Sequence, residues 1–246
     1  IADVGQLLQG KVAGLNVSTS GDPTKGSSVV LRGASTLNSS QGPCYVVDGI
    51  PGVDISIIAP EDIVTIDVLK DAAATAIYGN RAANGVIMVT TKRGSKDKTQ
   101  ISYSNYFGFE NVSNQLDMMN ASQLREFTTK NNLSFTPEND KGADTDWQKE
   151  ILRGGAASSS HNLSMSGGGE HGNYFASVSA LKKEGVLMSS DFSRIIAHLA
   201  VEQYAFDDKL KIGLNVTNSN SKYTNVPQRN TVLLQSVSHL PVSPVR

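Results

Sequence analysis

DGIPGVDISIIAPEDIVTIDVLKDAAATAIYGNRAANGVIMVTTKRG, residues 48–94, decides the fold class of this chain. The β-branched run Ile63-Val64-Thr65-Ile66-Asp67-Val68-Leu69 has the residue types of a strand. Lys70-Asp71 ends it, and Asp71 to Tyr78 suits an Ala-rich helix of about two turns, with Asp71 as N-cap. Gly79-Asn80 supplies the left-handed residues that stop the helix. Asn84-Gly85 then turns the chain into a second β-branched run, Val86 to Thr91. Two strands joined by so short a helix make a compact α+β unit, with the small residues Ala72 to Ala74 against a sheet.

Upstream, Val4 to Gly10 reads as a short helix with Val4, Leu7 and Leu8 on one face. Lys11 to Ser18, Ser28 to Leu31 and Cys44 to Val47 read as strands. Ser20-Gly21-Asp22-Pro23 and Asp48-Gly49 are turns, and Ser35 to Gly42 is a polar loop. The unit is therefore a small mixed sheet of four or five strands with short helices, spanning residues 1–94.

Lys92, Arg93, Lys96 and Lys98 form a basic run that reads as a solvated linker. Beyond it the pattern becomes long and dyadic. Ile101, Tyr103, Phe107 and Phe109 oppose Ser102, Ser104 and Gly108. Leu163 and Met165 oppose Asn162, Ser164 and Ser166. Arg194 to Glu202 and Leu210 to Thr217 alternate in the same way, and Asn173 to Leu181 does so less cleanly, with Phe175 and Leu181 on the face opposite Tyr174 and Val178. About five such strands, joined alternately by short turns (167–172, Asp207-Asp208) and longer connectors (113–154, 183–191), suit a transmembrane β-barrel with short inner turns and long outer loops. The longest connector holds two helical patterns, Ala121 to Lys130 and Asp146 to Leu152. Thr224 to Arg246, with three prolines, reads as an outer loop.

The balance of 22 basic and 23 acidic residues gives no footprint for nucleic acid. One cysteine, Cys44, excludes an intramolecular disulfide and a cysteine metal cluster, and is expected as a small buried apolar side chain. No apolar run approaches the ~18 residues of a membrane helix, so a crossing requires strands. The first residues have no signal-peptide character, and five strands cannot close a barrel, so the chain reads as an interior piece, either an excised fragment or the first part of a much longer protein.

In combination, several stretches resemble the plug domain of TonB-dependent outer-membrane transporters, in their SusC/RagA-like branch. They are Leu69 to Gly79, Ala83 to Ile87, Thr90-Thr91-Lys92, Leu8 to Val17, Leu31-Arg32-Gly33 and Tyr45 to Gly49. A looser match runs through Thr145-Asp146-Trp147 and Tyr174 to Gly185. The resemblance implies an α+β plug (residues 1–94) followed by antiparallel strands of an incomplete transmembrane β-barrel (95–246). It implies import of an oligosaccharide or peptide, with the plug gating the lumen. The implied partners are a SusD-like surface lipoprotein, TonB acting on an upstream segment, and outer-membrane lipid. No cofactor is called for. The plug-motif and gating candidates are Arg32, Gly33, Asp48, Gly49, Lys70, Asp71, Tyr78, Gly79, Arg81, Gly85 and Lys92, the cations being placed to pair with carboxylates of the lumen. Tyr78 is expected to pack on the sheet.

Catalytic readings are poor. His161, His171, His198 and His239 are isolated, and no zinc motif, nucleophile elbow or P-loop occurs. His161 and His198 are expected at lumen-facing or rim positions. Asp54, Glu61 and Asp62 are explained as turn and strand-cap chemistry, and the Asn-x-Ser/Thr triplets as chance. Two rivals stay open: a secreted β-rich module that binds glycan, and a surface receptor for signalling or adhesion without transport.

Overall fold

The computed structural model describes residues 3–31, 42–70, 77–82, 84–96, 98–133, 136 and 138–245, with only the backbone given at 80 and 81. The expected Asp71 cap, the Ala72 to Ala74 packing, Arg32, Gly33 and the Arg81 side chain lie outside the described residues.

Strand β3 (Cys44–Val47) turns at Asp48-Gly49 into β4 (Ile50–Pro51), with Val47 opposite Ile50. Both turn residues are left-handed (φ +48° and +87°), the geometry of a type I′ turn, for which Asp-Gly is a preferred pair. Strands β5 (Ile63–Leu69) and β6 (Val86–Thr91) run antiparallel, and β6 lies parallel to β3, giving a mixed sheet in the order β4-β3-β6-β5. One face of this sheet offers Val47, Ile87 and Val89 to Leu8, Val17, Val29 and Ile58. Those partners come from helix α1 (Val4–Leu7), from the hairpin of β1 (Leu15–Ser18) and β2 (Ser28–Leu31), and from the chain before β5. The opposite face packs Val46 and Val86 against Ala82 and Tyr78, so Tyr78 does pack on the sheet. Cys44 is half-buried at the edge of that cluster. The first strand is shorter than the β-branched pattern suggests, because residues 8–14 turn instead, with left-handed glycines at 10 and 14.

The second layer is a five-stranded antiparallel sheet in chain order. Its strands are β7 (Gln100–Glu110), β8 (Ala156–Gly169), β9 (Gly172–Glu184), β10 (Asp191–Ala205) and β11 (Leu210–Thr224). It is open: β7 and β11 are its edges. The dyad pattern sorts its faces as expected. Ser158, Ser160, Asn162, Ser164, Asn173, Ser177, Ser179 and His198 are buried against the mixed-sheet layer, while Ile101, Phe107, Leu163, Val178, Ile195, Leu199, Ile212 and Val216 are exposed on the other side. His161 departs from expectation. Its odd position on β8 puts it on the outer, apolar face, where Tyr103 Oη lies 2.7 Å from Nδ1 and Phe107 meets the ring edge-on.

Long connectors gather at one end of this sheet. Helix α2 (Ala121–Lys130) begins in a reciprocal capping box between Asn120 and Gln123, and α3 (Trp147–Ile151) is capped by Asp146. The connector 185–190 is shorter than the sequence pattern implies, since β9 runs on to Glu184. The tail also differs from its loop reading. It forms helix α4 (Arg229–Ser238) and then packs on the β7–β8 connector, where Trp147 Nε1 donates to Leu240 O and Val242 is buried.

A Cβ on Gly94, where the chain passes from the first layer to the second, would lie 2.3 Å from the Tyr174 backbone nitrogen, and backbone cannot give way. Gly94→Ala is expected to lower stability by about 1–3 kcal/mol, while Gly154→Ala, with open space around its Cβ, changes little. Thermal unfolding in detergent checks the contrast. In the long connector between β7 and β8, the Arg125 guanidinium and then the Gly142 N–H hold Asp140 down to about 2 from 3.8. A depressed carboxyl contributes above its unfolded value and loses that contribution as pH falls through the folded one. Hydrogen exchange in α2, corrected for intrinsic rates, is therefore expected to accelerate between about pH 4 and 2 and to be flat from pH 5 to 7.

Candidate functional site

The two layers meet across a seam in which polar groups outnumber the buried apolar side chains Phe175, Leu181, Ile196 and Ala200, and its centre is Asp62. A 3₁₀ turn, Pro60–Asp62, ends at this residue, whose N–H donates to Ala59 O and whose carbonyl accepts from Lys92 N. The turn places a carboxylate that is 1% exposed against the second sheet. Ser177 Oγ donates to Oδ2 at 2.5 Å, and His198 Nδ1 lies 3.8 Å from the same oxygen. His198 is 5% exposed and packs against the Phe175 ring. Its Nε2 is 3.1 Å from Asn215 Oδ1, an acceptor, which assigns the Nε2 proton to that bond. Asn215 Nδ2 in turn donates to Asp48 Oδ2 at 3.0 Å, and Asp48 also accepts from Thr91 N and Thr91 Oγ1. Hydrogen bonds thus run from His198 through Asn215 to Asp48, while His198 approaches Asp62 at 3.8 Å, a contact longer than a hydrogen bond.

Three further contacts flank this chain. Toward the short turns, Arg93 pairs with Glu202 at 2.8 Å, and Glu202 is shared with Lys211, Asn173 and Tyr204. Toward the long connectors, Arg194 Nη1 donates to Ser56 O at 2.6 Å. In the same region Arg229 of α4 pairs with the buried Asp22 at 2.8 Å. Burial alone would raise the Asp22 carboxyl, but hydrogen bonds from Thr24 and then the Arg229 guanidinium hold it below its usual range. A crevice of about 500 Å³ opens between the layers at this end, lined by Asp3, Tyr45, Asp54, Lys183, Arg194 and Tyr223 among others. Burial, and then the Asp3 carboxylate, push the Tyr45 phenol up to about 12, so it faces the crevice as a neutral hydroxyl.

The candidates from sequence divide accordingly. Asp48 lies in the seam, positioned by its turn with Gly49. Lys70 instead donates to Ala13 O within the first layer, and the Lys92 side chain has no ion pair among the described residues. Tyr78 and Gly79 sit beside the far face of the mixed sheet. Gly85 turns at φ +86° with its α-carbon against Leu31. Arg93 on Glu202 is a pairing of the expected sense, a cation of the first layer on a carboxylate of the second. Asp48 and Asp62 run the other way, as first-layer acids that accept from an amide and a hydroxyl of the second. Asp54 does act as a cap, accepting from Ser56 N, but Asp62 reaches across the seam. The signal that could have found its partners is the dyad pattern, which puts His198 and Asn215 on the polar face.

Comparison with known proteins agrees with this architecture. Residues 1–86 match the TonB-dependent Receptor Plug Domain family. The chain is 35% identical over 227 residues to TonB-dependent receptor SusC of Bacteroides thetaiotaomicron, a match covering 88% of this chain and 22% of that protein. It is 37% identical over 215 residues to TonB-dependent receptor P3 of Formosa agariphila, covering 86% of this chain and 21% of the relative. Among solved structures, the RagAB peptide importer in its closed-closed state superposes with a TM-score of 0.80 at 29% identity, covering 93% of this chain and 30% of that one. The siderophore receptor PirA of Pseudomonas aeruginosa, at TM-score 0.56 and 19% identity, shares the fold. The mixed sheet is a TonB-dependent receptor plug and the open sheet is the wall beside it. Within that class the chain is SusC/RagA-like, of the bacterial outer membrane. It spans about a fifth of the length of the curated relatives it matches.

Because Asp62 and Ser177 meet in a buried site, a double-mutant cycle of Asp62→Ala and Ser177→Ala is expected to give a coupling of about 1–3 kcal/mol in thermal or denaturant unfolding. The half-exposed pair Asp48 and Asn215 is expected to couple by about 1 kcal/mol or less.

Proposed function

We propose that these residues are the plug and first wall strands of an outer-membrane importer that takes up an oligosaccharide or a peptide by TonB-dependent gating. The observation that carries this reading is the polar seam centred on Asp62. An apolar seal would bury surface at roughly 25 cal/mol per Å² and hold the plug firmly. A seam of hydroxyls, amides and a few charges gains little net free energy by closing, because water satisfies the same groups once it is fully open.

On this reading residues 1–94 form the plug and 95–246 the wall. The short turns face the periplasm and the connectors at 111–155 and 225–245 face outward. A SusD-like lipoprotein closes the outer side, and TonB pulls on a segment upstream of Ile1. Asp48, Asp62 and Arg93 hold the resting plug against Asn215, Ser177 and Glu202, and Gly49, Gly79 and Gly85 shape the turns that place them. Of the two cargo classes, the RagAB peptide importer lends support to peptide. The relatives are named receptors and importers, and the chain is read as a transporter rather than an enzyme.

The test is a reversible lock. Asp62→Cys with Ser177→Cys, oxidised in the full-length gene product, is expected to abolish energy-dependent uptake, and reduction is expected to restore it. In each single cysteine variant, whatever uptake remains is expected to be the same before and after oxidation. Uptake that continues unchanged through the oxidised, fully cross-linked protein overturns movement at this seam.

A further inference from the structure

The outer face of the wall is not uniformly apolar. Following the ladder across β7 to β11, one row reads Phe107, Ser159, Lys182, Ser193, Lys222. Toward the short turns the same face is Val178, Ile195, Leu199, Val216, Leu214 and Ile212, all exposed. Lys182 therefore sits just past the end of the apolar band on β9, and Lys222 lies beyond Asn218 and Asn220 on β11. The two lysines stand on either side of Ser193. Neighbouring strands are about 4.8 Å apart, so their backbones are separated by about 10 Å, within converging reach of two four-carbon stems.

Both lysines are exposed, and neither has an ion-pair or hydrogen-bond partner among the described residues. Two carboxylates at the same end of these strands, Glu184 and Asp191, are held by Arg153 at 3.6 and 3.0 Å. Lys183, by contrast, points inward and pairs with Glu110. The patch is thus a positive site bounded below by apolar side chains and flanked by the exposed rings of Phe107 and Phe109.

On the reading of this sheet as an outer-membrane wall, we infer that Lys182 and Lys222 form a binding site for the phosphate of an outer-leaflet lipid headgroup. Two ammonium groups take the phosphate oxygens, the Ser193 hydroxyl lies between them, and the acyl chains descend over Ile195 and Val178. A soluble anion has no use for the apolar border. A lipid matches both halves of the patch, and each lysine near an anionic headgroup contributes enough to change occupancy about fivefold.

The experiment uses the full-length receptor in mild detergent, with synthetic lipid A carrying or lacking its phosphate as the probe and native mass spectrometry as the readout. The receptor is expected to retain the phosphorylated lipid. Lys182→Gln and Lys222→Gln each lower occupancy about fivefold, and the double variant abolishes it. Millimolar inorganic phosphate leaves the bound lipid in place. Equal retention of the dephosphorylated lipid, unchanged binding by the double variant, or displacement by inorganic phosphate each overturns the site. Outer-membrane fractionation and heat-modifiable gel mobility of the same variants report separately on whether the sheet is a membrane wall. A protein that folds in the membrane yet ignores the lipid phosphate refutes the lysine site alone.

Discussion

The buried carboxylate of Asp62 is the constraint around which the seam between plug and wall is arranged. A carboxylate this far from water is costly to bury unless its lone pairs are engaged, and the plug offers Asp62 little beyond its own turn, leaving Oδ1 without a hydrogen-bond partner among the described residues. Its side-chain partners come from the wall: a serine hydroxyl on β9 and an imidazole on β10. The imidazole is fixed by an amide on β11, and that amide is fixed by a second plug carboxylate, Asp48. Three successive strands are thereby registered against the plug by a single chain of contacts. The antiparallel ladder gives each strand its place, because a shift of one residue would turn Ser177, His198 and Asn215 toward lipid.

The same parity rule governs the other face. Residues that satisfy Asp62 alternate with Val178, Leu199 and Val216, which have no water to avoid in a bilayer and no core to enter in this chain. Strands of this kind are amphipathic in the opposite sense from a soluble sandwich, with the polar face buried and the apolar face exposed. The pattern alone cannot distinguish the two cases. What distinguishes them here is the plug covering the polar face with serines and asparagines still inside the contact.

Much of the fold was legible because its signals are local. Ile63–Leu69 and Val86–Thr91 declare themselves by β-branching, Asp48-Gly49 by its turn chemistry, and α2 by Asn120 and Gln123 three residues apart. The seam was less legible. Asp62 sits in Pro-Glu-Asp, where a capping role explains the residue types equally well, and only the position of a strand more than a hundred residues later reveals its partner. The cations are no more legible locally: Lys70 is satisfied at home by a backbone carbonyl, while Arg93, in a run that reads as a linker, reaches Glu202 of the wall. Helix α4 has neither a capping side chain nor a strong amphipathic pattern, and it begins after a left-handed Gln228. Its support comes from Asp22, through Arg229, and from contacts with α3 that no local pattern announces.

A polar cluster at a seam is not needed for stability. Well-packed apolar residues of similar volume often hold two layers equally well or better. What the cluster changes is the response to separation. An apolar contact loses its free energy gradually as area is exposed. A hydrogen-bonded pair goes from satisfied by protein to satisfied by water over roughly the width of one water molecule, with the Ser177–Asp62 and Asn215–Asp48 bonds broken together. Between those two arrangements lies a partly opened seam in which the charge is neither paired nor hydrated, and that arrangement is the costly one. The seam therefore has two stable conditions, closed and wetted, with a barrier between them. A plug held in this way stays shut against thermal motion and yields as a unit when the chain is pulled.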